Sequence, residues 1–179
     1  MGNLQSTEND FSTFDRYSSE ESQWLVRNAK IYKKGFREVL VDFEPDLYCV
    51  ANFYDDARSA DYYEDKFSRF DTQLCQALLG RKFRSKPLER PRWIAVPERA
   101  TSIHYNVLCQ VPAAALDKFC EEAPPIWRKL VRSGGFDVKR VGPSQVDDEK
   151  IGSYLVKAFS PITTIDRTIV NWMSWPKKR

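Results

Sequence analysis

Between Leu47 and Phe159 the apolar residues switch repeatedly between strand-like and helix-like spacing, and this order limits the folds open to the chain. Leu47–Phe53 is a nearly continuous apolar run, which predicts a buried strand. In Asp61–Leu79 the residues Phe67, Phe70, Leu74, Ala77 and Leu78 recur three and four apart, as on one face of a helix, and Gly80 ends the pattern. Arg92–Glu98 and His104–Val111 read as two strands joined by Arg99-Ala100-Thr101-Ser102. Pro112 opens a second helical stretch carrying Leu116, Phe119 and Cys120. Pro124-Pro125 is expected to interrupt or restart it before Trp127, Leu130 and Val131. After Gly134-Gly135, Phe136–Val141 alternates as a strand, and Asp147–Phe159 reads as a final helix ended by Pro161.

The resulting order, β-α-β-β-α-β-α, predicts an α+β domain of the ferredoxin-like, split β-α-β type. Its antiparallel sheet would carry both crossing helices on one face, leaving the other for a ligand or for the added C-terminal helix. Around this domain, residues 45–160, the sequence divides into further parts. Residues 1–20 are polar, Ser-rich and acidic and read as a flexible arm. Residues 21–44 read as an N-terminal extension: a helix marked by Trp24, Leu25, Ala29, Ile31 and Tyr32, a stop at Gly35, and a short strand over Arg37–Phe43. Residues 161–179 form a tail carrying Trp172 and Trp175, which suits either an interface or a cap on the sheet.

Composition narrows the setting. The chain has 179 residues, 42% hydrophobic and 30% charged, as expected of one soluble domain. No apolar run is long enough to cross a bilayer, and no basic-then-apolar leader opens the chain, so a cytoplasmic protein without a membrane partner is expected. Met1-Gly2-Asn3-Leu4-Gln5-Ser6 fits a myristoylation pattern, but no polybasic stretch follows as a second membrane signal. Cys49, Cys75, Cys109 and Cys120 are scattered without a Cys-x-x-Cys pair and read as reduced, buried thiols. Net charge is only +3, yet Arg81, Lys82, Arg84, Lys86, Arg90 and Arg92 concentrate positive charge in one loop. Such a loop suits a phosphate-binding face and, equally, a solvated surface.

The sole histidine lies in a predicted strand, as Ser102-Ile103-His104-Tyr105-Asn106. Residues two apart on a strand share a face, so His104 and Asn106 would present an imidazole nitrogen and an amide oxygen together. A hairpin would bring Glu98 to the same place. One nitrogen and two oxygens suit Mg²⁺ or Mn²⁺, although His-x-Asn alone is more often an ordinary hydrogen-bonded strand pair. The last helix adds Tyr154-Leu155-Val156-Lys157, whose phenol and ammonium are three apart and can share a helix face.

A strand pair bearing His104-x-Asn106, then a helix, a strand and a helix bearing Tyr154-x-x-Lys157, resembles the HUH endonuclease superfamily. These are the rolling-circle replication initiators of plasmids and small single-stranded DNA viruses. The resemblance covers roughly residues 45–160. It implies that His104, Asn106 and Glu98 hold a divalent metal, Mg²⁺ or Mn²⁺, with Asn106 standing where the family has a second histidine. It implies that Tyr154 is the nucleophile and Lys157 its partner. The activity implied is nicking and joining of single-stranded or hairpin DNA through a 5′-phosphotyrosine intermediate. The basic loop would follow the DNA backbone, with base stacking on Trp93 or Tyr48. No phosphate loop of the helicase type occurs in these 179 residues, so unwinding would come from a separate helicase, from other replication proteins or from a part of the protein beyond this sequence.

Three alternatives stay open on the sequence. Asn106 also suits a catalytically reduced or inactive DNA-binding module of the same fold. Tyr48, Phe53, Trp93 and Tyr105 would serve an RNA-binding sheet if they were exposed. The Trp- and Tyr-rich composition would serve a protein interface.

Overall fold

The elements, in chain order, are α1 (Ala29–Val41), β1 (Leu47–Asn52), α2 (Ala60–Leu79), two short 3₁₀ turns (Phe83–Ser85 and Pro87–Glu89), β2 (Arg92–Arg99), β3 (Ile103–Gln110), a 3₁₀ turn (Ala113–Ala115), α3 (Leu116–Leu130), β4 (Gly135–Arg140) and β5 (Ile169–Val170). They come from a computed structural model that describes residues 20, 23–24, 27–54, 59–99, 103–141, 155 and 168–171. The expected arm over residues 1–20 lies, apart from Glu20, outside the described residues. So do the expected helix over 147–159, apart from Leu155, and both Trp172 and Trp175.

The fold is α+β, a five-stranded antiparallel sheet in the order β4-β1-β3-β2-β5 with helices packed on it. Strict alternation along the strands divides its side chains between two faces. On the first face Leu47, Cys49 and Ala51 of β1, Trp93 and Ala95 of β2, and Tyr105, Val107 and Cys109 of β3 meet α2 and α3. Helix α2 offers Tyr63, Phe67, Phe70 and Leu74, and α3 offers Phe119, Ala123, Ile126 and Trp127, each set at helical spacing. The Phe53 ring is the hub, edge-on to Tyr63 at 4.7 Å and to Trp127 at 5.1 Å between centroids.

Local chemistry sets the ends of these elements. The Ser59 hydroxyl accepts from the Tyr62 amide at 3.3 Å and caps α2, and Gly80, at φ +80°, closes it. Before β4 the chain runs so close to β1 that a Cβ at Gly134 would lie 2.6 Å from the Asn52 carbonyl oxygen.

On the second face Ile94, Val96 and Leu108 form a smaller apolar cluster with Leu40, Phe43 and Leu155. The segment Arg37–Phe43, expected as a strand, is instead the end of α1 and the turn after it. Phe36, Leu40 and Phe43 are four and three apart, so one helical face meets the sheet, while Val39 is exposed. Gly35 therefore does not stop the helix. It lies inside α1, where an added Cβ would meet nothing within 4 Å.

Helix α3 likewise runs unbroken through Pro124 and Pro125. The two prolines remove the amides that would pair with the carbonyls of Cys120 and Glu121. Buried Phe119 and Ala123 on one side and Ile126 and Trp127 on the other hold both halves against the sheet despite that loss. Within the stretch expected as a tail, Ile169 and Val170 add a strand to the β2 edge.

Asn171 fastens that edge strand. Its Oδ1 accepts from the Trp93 amide at 2.9 Å, and its Nδ2 donates to Asp71 at 2.8 Å and to the Pro91 carbonyl at 2.9 Å. Asp71 also accepts from the Trp93 indole at 3.1 Å and pairs with Arg90 at 2.6 Å. A buried carboxylate is tolerated here because donors surround it.

Two stability changes follow. Gly35→Ala should raise unfolding stability by about 0.5–1 kcal/mol, read as a higher urea midpoint, because it removes only chain entropy inside an open helix position. Asp71→Ala should cost about 3 kcal/mol by the same measurement, since it removes the carboxylate that the Arg90 guanidinium and the Trp93 indole bond.

Candidate functional site

Three rows of side chains cross the second face. The register pairs Tyr48 with Leu108 and Leu108 with Ile94; Val50 with Asn106 and Asn106 with Val96; and Asn52 with His104 and His104 with Glu98. The first row lies under the apolar cluster. The last two turn polar and carry Asn106, Asn52, His104 and Glu98 toward the end of the sheet where β1 leaves it.

The hairpin brings three of the sequence-predicted site residues into contact. The His104 Nε2 lies 3.1 Å from Glu98 Oε2, and the Asn106 Nδ2 donates to the same oxygen at 2.8 Å. Asn106 Oδ1 in turn accepts from the Tyr48 hydroxyl. Both ends of the amide are therefore engaged. Asn106 is only 3% exposed, whereas the His104 and Glu98 side chains are 19% and 30% exposed. The imidazole and the carboxylate are open to solvent and the amide sits behind them.

The chemistry of this set suits a small divalent cation in part. Adjacent ligands in an octahedron with bonds of about 2.1 Å lie about 3.0 Å apart, close to the 3.1 Å between His104 Nε2 and Glu98 Oε2. The Asn106 oxygen faces Tyr48 instead of that pair, so two of the three expected donor atoms point to one place. Among the described residues no group of three His, Cys, Asp or Glu side chains gathers to hold a metal.

Tyr154 and Lys157 lie outside the described residues. Their neighbour Leu155 is helical and buried in the second-face cluster with Leu40, Phe43 and Leu108.

The basic loop is at the other end of the sheet. Arg92 opens β2 and Glu98 is six positions further along it, on the order of 20 Å at strand rise. Arg81, Lys82, Arg84 and Arg92 are exposed. Lys86 pairs with Glu89 at 2.9 Å, and Arg90 turns inward to Asp71 at 2.6 Å. The six cations therefore do not form one outward face, and none adjoins His104.

Stacking on Trp93 is also ruled out by burial: it is 2% exposed, with its indole bonded to Asp71. Phe53 and Tyr105 are each 1% exposed. The aromatic platform considered for RNA is thus mostly interior, on the face that α2 and α3 cover.

Tyr48 as the partner of Asn106, and Asn52 beside His104, were not legible as site residues. Both sit within an apolar run, and only the β1–β3 register reveals their neighbours. Asp71 did leave a signal: it is a charge inside the apolar stripe of Phe67, Phe70 and Leu74.

Three of the four thiols are enclosed, as expected, whereas Cys120 is half-buried. Cys49, Cys75 and Cys109 are buried. Burial, with the Asp71 charge adding to it, pushes the Cys75 thiol up to about 11, and burial raises Cys109 well above the ordinary thiol range. The unfolded thiol ionises near pH 8.5. The stability linked to Cys75 is therefore complete below that pH and is lost as pH rises through about 11. Urea unfolding across this window should show a shallower loss of stability in Cys75→Ala than in the parent chain.

No helix among the described residues is long and apolar enough to cross a membrane. Compared with known proteins, the chain matches no family model, no curated protein and no solved structure.

Proposed function

We propose that the protein nicks and joins single-stranded or hairpin DNA in the manner of the HUH endonucleases, as an initiator of rolling-circle replication. The observation that carries this is the convergence of His104 and Glu98, 3.1 Å apart, on the same sheet face that seats Leu155, the residue beside Tyr154. The ferredoxin-like reading is supported by the strand order β4-β1-β3-β2 and by α2 and α3 sharing the first face, as in a split β-α-β arrangement.

In this proposal His104 and Glu98 would hold Mg²⁺ or Mn²⁺, with Asn106 hydrogen-bonded to the carboxylate behind them. The bound cation supplies charge neutralisation at the scissile phosphate. The Tyr154 oxygen bonds to phosphorus as the bond to the 3′ oxygen breaks, and the phenolic proton ends on the released 3′-hydroxyl. Lys157 favours the phenolate of Tyr154, whose ordinary pKa is near 10. Exposed Arg81, Lys82, Arg84 and Arg92 hold backbone phosphates upstream or downstream of the nick, on the order of 20 Å from it.

A second reading has one observation in its favour. The Asn106 oxygen is capped by Tyr48, which leaves two ligating atoms and suits a DNA-binding module without nicking activity.

Labelled single-stranded DNA incubated with Mn²⁺ separates the two. The nuclease should give a covalent protein–DNA adduct on a denaturing gel, lost with EDTA and lost in Tyr154→Phe, while filter binding persists. His104→Ala should slow cleavage about 100-fold. DNA binding in Mn²⁺ without any adduct would support the module instead, and adduct formation by Tyr154→Phe would remove Tyr154 as nucleophile.

A further inference from the structure

The second-face cluster contains one tyrosine that joins two parts of the molecule. The Tyr48 ring packs against the apolar group of Leu40, Phe43, Leu108 and Leu155. Its hydroxyl leaves that group and donates to Asn106 Oδ1. At its other end the same amide donates to Glu98 Oε2 at 2.8 Å, the oxygen that also faces His104 Nε2.

We propose that Tyr48 is a positioning residue: it holds Asn106 with the amino group toward Glu98, so that Asn106 orients the carboxylate and only His104 and Glu98 ligate the cation, a role that rests on the metal-site reading above. The amide has two distinct ends, and their neighbours select between them. Glu98 is an acceptor and requires the amino group. Tyr48, placed on the opposite side, supplies the hydroxyl that the amide oxygen requires. Turning the amide over would set its oxygen against the carboxylate, an acceptor against an acceptor, in a place where Asn106 is 3% exposed and water cannot easily compensate.

The burial pattern fits an outer partner. Glu98 and His104 reach solvent and Asn106 does not. Groups of this kind hold a ligand's orientation, and their loss weakens metal affinity by about 10–100-fold. A cation held by two side chains keeps its remaining positions for water and for phosphate oxygens, which suits Mg²⁺ and Mn²⁺. The Tyr48 ring also touches the cluster that seats Leu155. One side chain thus ties the seat of Leu155 to the aim of the carboxylate.

The test is Mn²⁺ affinity, read from the electron paramagnetic resonance signal of the free ion, together with thermal stability. Tyr48→Phe keeps the ring and removes the hydroxyl; it should weaken Mn²⁺ binding about tenfold. Asn106→Ala should weaken it at least as much. In the double variant Tyr48→Phe should add less than about twofold, because its effect passes through the amide. Unchanged affinity in Tyr48→Phe, or additive losses in the double variant, would overturn the positioning role while leaving the metal site intact. Absence of Mn²⁺ binding by the parent chain, or full binding by His104→Ala, would overturn the metal site and this role with it.

A measurement on the parent chain does not depend on the variants folding. In the nitrogen–proton spectrum the Asn106 side-chain NH₂ should stay protected from exchange with and without Mg²⁺. Loss of that protection when Mg²⁺ binds would mean that the amide turns over to ligate, and would overturn the role.

Discussion

The register of β3 between β1 and β2 is the constraint on which the other features depend. Side chains alternate along a strand, so Tyr105, Val107 and Cys109 enter the aromatic core while His104, Asn106 and Leu108 face the other way. A slip of one residue would drive an imidazole and an amide under α2 and α3 and expose a tyrosine and a valine. The burial that holds the sheet together and the geometry that gathers His104, Asn106 and Glu98 are therefore the same fact. The mass of aromatic rings around Phe53 penalises every other register.

The two faces are unequal. The first is covered by two long helices and a large aromatic core; the second has α1, Leu155 and a smaller apolar group. Function tends to sit where the scaffold is rigid on one side and accessible on the other. Here the rigid side fixes the backbone of β2 and β3, and the sparser side leaves room for an imidazole and a carboxylate that reach solvent. Asn106 and Tyr48 lie at the boundary between the apolar group and the polar rows, where a buried polar contact must be fully matched to be tolerated.

Strong periodicity made most of the sheet and both crossing helices legible. The Phe67–Leu74 stripe, Gly80 and the alternation in residues 136–141 each reported one local requirement. The failures came where tertiary contacts overrode local signals. Arg37–Phe43 alternates like a strand, yet Phe36, Leu40 and Phe43 are anchored on the sheet as a helix and its following turn. Pro124-Pro125 reads as a break, yet α3 is continuous, with buried residues on both sides of the prolines. At the site, the proximity of His104, Asn106 and Glu98 was legible because the hairpin is local. The direction of the Asn106 amide was not, because Tyr48 is far away in sequence and its partner depends on the β1–β3 pairing. The basic loop was legible as charge but not as geometry: Arg90 serves a buried carboxylate instead of the surface.

The fastening of Asn171 to Trp93, Asp71 and Pro91 has a mechanical side. The chain leaves the sheet from β4 at one edge and rejoins it at β5 on the opposite edge, on the order of 20 Å away across the strands. Leu155, between those two points, is seated on the second face. Val141, Leu155 and Thr168 are therefore the described points between the two edges of the sheet. Releasing the β5 clasp would bare the backbone groups of β2 at Ile94 and Ala95, so that one asparagine decides whether the sheet offers an open edge to another chain.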